Sequence, residues 1–258
     1  MKTTANTILI TGGGSGIGRG LAEAFHALGN RVVIAGRSQK RLDETTAANP
    51  GMKALTVDMA DAGSIHAFAA QIAQDCPNLN VLINMAGVMR SEKLLDQKEP
   101  LYDMEATVAT NLLGPIRLTT ALLPTLRKQP QATIMNVTSG LAFVPLAMTP
   151  TYCATKAAIH SYTQSLRYQL KDTPMEVLEL VPPYVQTELM GERQANDPMA
   201  MPLGEFIAEV MEILKADPTP PEICVKRVEP LRFAAASGGY DAFFKTFNDG
   251  MAAARAGE

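Results

Sequence analysis

The chain has 258 residues, 47% hydrophobic and 19% charged, with a formal net charge of −3. That balance belongs to a globular protein able to bury a substantial core, and it gives no footing for nucleic acid or an anionic membrane as a partner. Cys76, Cys153 and Cys224 are odd in number and scattered, so no disulfide framework is implied and a reducing, cytoplasmic setting fits. The chain reaches a glycine-rich turn at Gly12 without the apolar run of a signal peptide or membrane span.

Residues 7–10 (Thr-Ile-Leu-Ile) read as a strand, followed by Thr11-Gly12-Gly13-Gly14-Ser15-Gly16-Ile17-Gly18 and a helical pattern through Leu21, Ala24, Phe25 and Leu28. Strand, glycine turn and helix together make a phosphate cradle: the backbone turns tightly and the helix N-terminus presents free N–H groups. The spacing is Gly12-x-x-x-Gly16-x-Gly18, which is neither the strict Gly-x-Gly-x-x-Gly fingerprint nor a P-loop. A second strand at 31–35 ends in Gly36-Arg37-Ser38, where an NAD enzyme would carry an acidic residue for the ribose 2′-hydroxyl. Here Arg37 offers a cationic fork suited to a 2′-phosphate, with Ser38 and Arg41 assisting; NADP(H) is favoured and NAD(H) is the alternative.

Further along, strands are predicted at 54–57, 81–83, 132–138 and 175–181, with helices at 39–47, 61–74, 101–128 and 151–170. The alternation predicts an α/β fold, a single domain built on a doubly wound (Rossmann) parallel sheet of six to seven strands with helices on both faces. Residues 186–218 are rich in Met and Pro and read either as a mobile lobe over a substrate, with 203–214 as its helix, or as core filler. Residues 220–236 place Ile223, Val225, Val228, Leu231 and Ala235 roughly in helical register, so a helix is expected there. His26, His66 and His160 have no metal-ligand spacing and no carboxylates clustered around them in sequence; no metal site is predicted.

The chemistry points to Tyr152-Cys153-Ala154-Thr155-Lys156, with Ser139 thirteen positions earlier at the end of a buried strand. If Thr149 caps a helix and Pro150 is its first residue, Tyr152 and Lys156 share a face one turn apart. A phenol with a pKa of about 10 is a poor acid at neutral pH, and a neighbouring ammonium is expected to bring it down. A hydroxyl at the strand end beside that phenol suits proton transfer to a carbonyl or from an alcohol.

With these motifs in hand, residues 5–190 resemble the short-chain dehydrogenase/reductase family. Thr11-Gly12-x-x-x-Gly16-Ile17-Gly18 resembles its dinucleotide motif, with Gly14 and Ser15 inside it; Asp58-Met59 resembles the pair that meets adenine. Asn84-Met85-Ala86-Gly87 resembles its Asn-Asn-Ala-Gly turn. Asn111, Ser139, Tyr152 and Lys156 match its catalytic tetrad, and Pro182-Pro183-Tyr184-Val185-Gln186-Thr187 resembles the loop that grips the nicotinamide.

The resemblance implies hydride transfer between NADP(H) and a ketone or secondary alcohol. Tyr152 would be the general acid/base, Lys156 would lower its pKa and hold the ribose, Ser139 would bind the substrate oxygen, and Asn111 would hold a relay water. Gly140, Leu141, Val144, Leu146, Tyr184, Leu189 and Met190 are expected to line an apolar substrate pocket. The family also implies a homo-oligomer, dimer or tetramer. The alternative is a catalytically silent NADP-binding sensor or scaffold. Three departures stand out: Met85 for the second Asn, which loses an amide able to tie strands together, Pro183 for the usual Gly, and Ser15 where NADP-preferring members often carry a base.

Overall fold

Apolar β-branched runs separated by amphipathic helices bury both kinds of surface when the strands lie parallel and helices cover each face. The computed structural model describes residues 1–254. Among these, the strands are β1 (Thr7–Thr11), β2 (Arg31–Gly36), β3 (Lys53–Thr56), β4 (Val81–Asn84), β5 (Ala132–Val137), β6 (Met175–Val181) and β7 (Glu222–Cys224). They form one sheet in the order β3-β2-β1-β4-β5-β6-β7, and every pairing is parallel. The strand order reverses between β1 and β4, and a crevice opens beyond their carboxyl ends.

The helices are α1 (Gly16–Ala27), α2 (Gln39–Ala48), α3 (Ala62–Asp75), α4 (Tyr102–Val108), α5 (Gly114–Leu126), α6 (Pro150–Gln169), α7 (Glu192–Asn196), α8 (Leu203–Leu214), α9 (Glu229–Arg232) and α10 (Tyr240–Ala253). One core layer joins α1 and α8 to the sheet through Phe25, Phe206 and Val210; the opposite layer joins α3, α5 and α6 through Ile72, Leu122 and Leu166. No helix among the described residues is long and apolar enough to cross a membrane.

Two expectations change. The segment 220–236 is not one helix: it forms β7, a 3₁₀ turn at Lys226–Val228 and the short α9. Ile223 and Val225 are fully buried two residues apart, which is strand alternation, and β7 joins the open edge of β6 through Glu179↔Glu222, Leu180↔Ile223 and Val181↔Cys224. The helix at 203–214 also belongs to the core. Phe206, Val210 and Leu214 make a stripe at four-residue spacing with no exposure, so Met201 and Met211 beside them are core filler.

Candidate active site

The cleft begins at the glycine turn. The Thr11 hydroxyl, at the end of β1, accepts from the backbone N–H groups of Met85 and Ala86 at 3.1 Å each and so binds the ends of β1 and β4 together. Gly12 sits at φ +71°, a backbone that favours glycine, and a side chain at Gly18 would stand 2.2 Å from the Gly12 carbonyl oxygen. Only glycine lets α1 start this close to β1. Ser15, at the N-cap of α1, makes no side-chain capping bond, so the first-turn N–H groups have no internal partner.

At the other end, β5 delivers Ser139, whose hydroxyl oxygen accepts from the Leu141 N–H at 3.1 Å. Helix α6 begins at Pro150 as expected, but Thr149 does not cap it; its hydroxyl donates to the Leu146 carbonyl instead. The cap comes from outside the helix: the Glu92 carboxylate accepts from the Thr151 N–H at 3.0 Å and its hydroxyl at 2.8 Å. Tyr152 and Lys156 are both buried and both line the cleft. Lys156 Nζ lies 5.6 Å from the centre of the Tyr152 ring and donates to the Val137 carbonyl at 2.8 Å.

The electrostatics differ from the sequence expectation. Burial is the largest influence on the Tyr152 phenol and pushes it up to about 12, with a hydrogen bond to Ser139 the opposing effect. Burial likewise pushes Lys156 down to about 8. Desolvation therefore outweighs any pull of the ammonium on the phenol, because both groups are buried and the cation is turned to the Val137 carbonyl.

Beneath these residues a polar ladder fixes α6 to the sheet. Asn84 donates to Asn136 at 2.8 Å and to Thr119 at 3.0 Å, and Asn136 donates to Thr163 of α6 at 2.9 Å. Asn84 thus supplies the inter-strand tie expected to be lost with Met85, whose side chain packs in the core layer under α1. Asn111 lies in a π-turn, Ala109–Leu113, between α4 and α5. Its amide is engaged on both sides, accepting from Val88 N–H and donating to Val88 O at 2.8 Å each, with Thr155 at 3.3 Å. A side chain at Gly87 would sit 3.4 Å from Asn111 Oδ1 and 3.7 Å from Lys156 Nζ, so Gly87 keeps the gap between them open.

The cleft has a volume of about 740 Å³ and joins the glycine turn to the Ser139–Tyr152–Lys156 end. Of the residues singled out by sequence, Gly12, Gly14, Ser15, Gly16, Ile17, Gly18, Arg37, Ser38, Met59, Ala86, Gly87, Pro182, Val185, Thr187 and Leu189 also line it. Asp58, Asn84 and Asn111 do not line it; Asp58 accepts from the Ala60 N–H at 2.9 Å. Most of the expected apolar pocket lies elsewhere. Val144 and Leu146 are buried, Gly140 packs against Val228 and Leu231, and the Tyr184 hydroxyl donates to Asp197 at 3.0 Å. Met190 and Leu141 also fall outside the lining. Sequence reasoning missed Val88, Met89 and Arg90, which simply continue the turn after β4, and also Glu188 and Gln194. No local pattern marks the last two.

A cluster absent from the linear spacing lies next to Ser139. Glu179, fully buried on β6, accepts from the Thr138 hydroxyl at 2.8 Å and meets His160 Nδ1 at 2.9 Å. Glu222 on β7 lies within 4.8 Å of both, and Arg232 binds it at 2.6 and 3.0 Å. The β6–β7 register creates this carboxylate pair, and Arg232 supplies its cation. That bond holds the Glu222 carboxyl below its usual range.

Comparison with known proteins gives one family. The sequence model described as short chain dehydrogenase matches residues 6–198. The Bacillus subtilis (strain 168) protein named "Uncharacterized oxidoreductase DltE" is 41% identical over 251 residues, covering 96% of this chain and 98% of that one. Among solved structures, a short-chain dehydrogenase from Sphingobium yanoikuyae in complex with NADPH superposes with a TM-score of 0.79 at 25% identity, covering 93% of this chain and 95% of that one. A short chain dehydrogenase/reductase from Burkholderia phymatum in complex with NAD shares the fold, with a TM-score of 0.81 at 19% identity and coverage of 95% and 96%.

Proposed function

The chain belongs to the short-chain dehydrogenase/reductase family of oxidoreductases, and on that premise we propose that it interconverts a ketone and a secondary alcohol with NADP(H), with Tyr152 as the general acid/base. The observation that carries this reading is the meeting of Ser139, Tyr152 and Lys156 at the buried end of a cleft whose other end is the glycine turn. The cradle fits a nicotinamide dinucleotide: Gly12 and Gly18 let the start of α1 close on the end of β1, and that helix N-terminus, with no side-chain cap from Ser15, favours anionic oxygens. Arg37 at the end of β2 suits the 2′-phosphate. Arg41 beside it is already held by Glu188 at 2.9 Å, which leaves Arg37 as the reader.

When bound, the dinucleotide gives or takes the hydride; the protein supplies position and a proton. Ser139 binds the substrate oxygen and holds it against the Tyr152 hydroxyl. Tyr152, kept protonated at neutral pH by burial, is set to donate to an oxygen gaining negative charge, and it takes the proton back when an alcohol is oxidised. Lys156, one turn below, would hold the ribose hydroxyls and return a proton to the phenolate left after Tyr152 has donated. Asn111 fixes the Val88 backbone that forms the facing wall.

Tyr152→Phe tests the reading directly. Turnover of NADPH with a ketone panel should fall by roughly 10²–10⁴-fold, with NADPH affinity nearly unchanged. A variant that keeps full turnover removes Tyr152 from its role. A wild-type protein that binds NADPH yet oxidises it with no ketone would be a sensor or scaffold.

A further inference from the structure

We propose that Glu179 is a positioning residue for the reaction: its carboxylate ties the strand end that carries Ser139 to the helix that carries Tyr152, and the Glu222–Arg232 pair beside it holds the turn after Ser139 in place. This rests on the hydride-transfer reading above and goes beyond it, because none of these three side chains lines the cleft.

A carboxylate with no exposure needs a reason. β6 is otherwise mostly apolar, with Val177, Leu178, Leu180 and Val181 all buried, and an apolar residue at 179 would avoid the desolvation of a charge. The partners of Glu179 supply the reason. It accepts from the Thr138 hydroxyl at 2.8 Å, and both its oxygens stand 2.9 Å from His160 Nδ1. An ionised carboxylate only accepts, so the imidazole donates from Nδ1. Thr138 immediately precedes Ser139, and His160 is one turn beyond Lys156 on the face of α6 that also carries Tyr152. One side chain therefore spans β5 and α6. The separation of those two elements decides whether the Ser139 and Tyr152 hydroxyls, hydrogen-bonded to each other, reach the same substrate oxygen.

The turn after Ser139 is held from its other side. Glu222 lies opposite Glu179 in the β6–β7 register, where two carboxylates repel; Arg232 answers with bonds to Glu222 at 2.6 and 3.0 Å. The same guanidinium lies over the Phe143 ring, 4.4 Å from its centre, and the His160 ring meets Phe143 edge-on at 4.7 Å. Phe143 closes the short 3₁₀ turn that starts at Ser139. Glu222 and Arg232 lie beyond residues 6–198, so this support comes from outside the segment matched to the family model.

Removing the carboxylate strands no partner. The Thr138 hydroxyl also reaches the Leu180 carbonyl at 3.3 Å, and the His160 side chain, 19% exposed, is open to water. Glu179→Met is therefore expected to fold.

The experiment follows NADPH oxidation by the fastest ketone of the panel in the wild type, Glu179→Met, Glu179→Gln and Thr138→Val, using NADPH and its 4-deuterated form. Glu179→Met should keep the melting temperature and NADPH affinity of the wild type while kcat falls about tenfold or more. The deuterium isotope effect on kcat should rise, because the hydride step has become slower. Glu179→Gln should recover most of the rate: its amide oxygen accepts from Thr138 and its N–H donates to the other His160 tautomer. Thr138→Val cuts only the link to β5 and should lose rate in the same direction; if Glu179→Met fails to fold, this variant decides. Unchanged kcat overturns the proposal, and so does a fall that matches lost folded protein with no change in the isotope effect. Crystal structures add a readout without turnover: the Ser139–Tyr152 hydrogen bond should be broken in Glu179→Met and kept in Glu179→Gln. If the wild type reduces no ketone, the hydride-transfer reading fails by itself, and an unchanged Ser139–Tyr152 bond in Glu179→Met overturns the role of Glu179 separately.

Discussion

Lys156 is a cation held in a place that disfavours cations. Its Nζ is buried with one carbonyl acceptor, and burial brings its pKa down to about 8 from 10.5. A folded value below the unfolded one means that the stabilising contribution is whole above the unfolded pKa and is lost as pH falls through about 8. The protein should therefore carry a penalty on the order of 3 kcal/mol from this residue at neutral pH, relieved between about pH 8 and 10.5. Lys156→Met should be inactive, yet the gap between wild-type and variant urea-unfolding free energies should move in favour of the wild type as pH rises from 7 to about 10. A gap that stays constant with pH would show that the ammonium is better solvated than its surroundings imply. Burial likewise pushes the Tyr152 phenol up to about 12 rather than below the ordinary phenol range. A neighbouring cation lowers a phenol only when its attraction exceeds the cost of creating a buried anion.

At the scale of the element, α6 is fastened at its start, its middle and its end. Glu92 holds its first turn, Asn136 grips Thr163 in the middle, His160 meets Glu179, and Arg167 donates to the Val177 and Pro221 carbonyls near its end. Tyr152, Lys156 and His160 recur at four-residue spacing, so one face of the helix carries the phenol, the ammonium and the anchor beneath them. Glu92 is the anchor nearest the chemistry, because it binds Thr151, the residue just before Tyr152. Glu92→Ala should cost about 1 kcal/mol of stability, the usual worth of a helix cap. It should also lower kcat severalfold through a displaced phenol, with NADPH affinity unchanged and Glu92→Gln restoring most of the rate. If Glu92→Ala lowers stability but leaves kcat alone, the cap is structural only.

At the scale of the whole molecule, the cleft runs from the start of α2 to the start of α6, so its two ends are built by distant parts of the chain. Arg37 stands at one end, and its effect is read on the entire fold through ligand linkage. NADPH at a hundred times its Kd should stabilise the protein by about 2.7 kcal/mol. In Arg37→Asp that thermal shift should collapse for NADPH and persist for NADH; equal shifts for both cofactors would mean that Arg37 does not read the phosphate. Six of the seven strands, the glycine turn and the Ser139–Tyr152–Lys156 spacing were legible without coordinates, because each is a local pattern. Period-two runs make strands, a turn that needs glycine shows glycine, and residues four apart on a helix meet whatever surrounds them. What surrounds them was not legible. The edge of β6 turned 222–224 from apparent helix into β7, the β6–β7 register brought Glu222 to Glu179 and His160, and chain folding set Glu92 on α6 and α10 against the loop before α6. Desolvation, too, is a property of packing and not of spacing. The sequence alone marked the candidate groups and their spacing; the tertiary structure decided their burial, their anchors and the wall they face, since those depend on contacts between residues far apart in the chain.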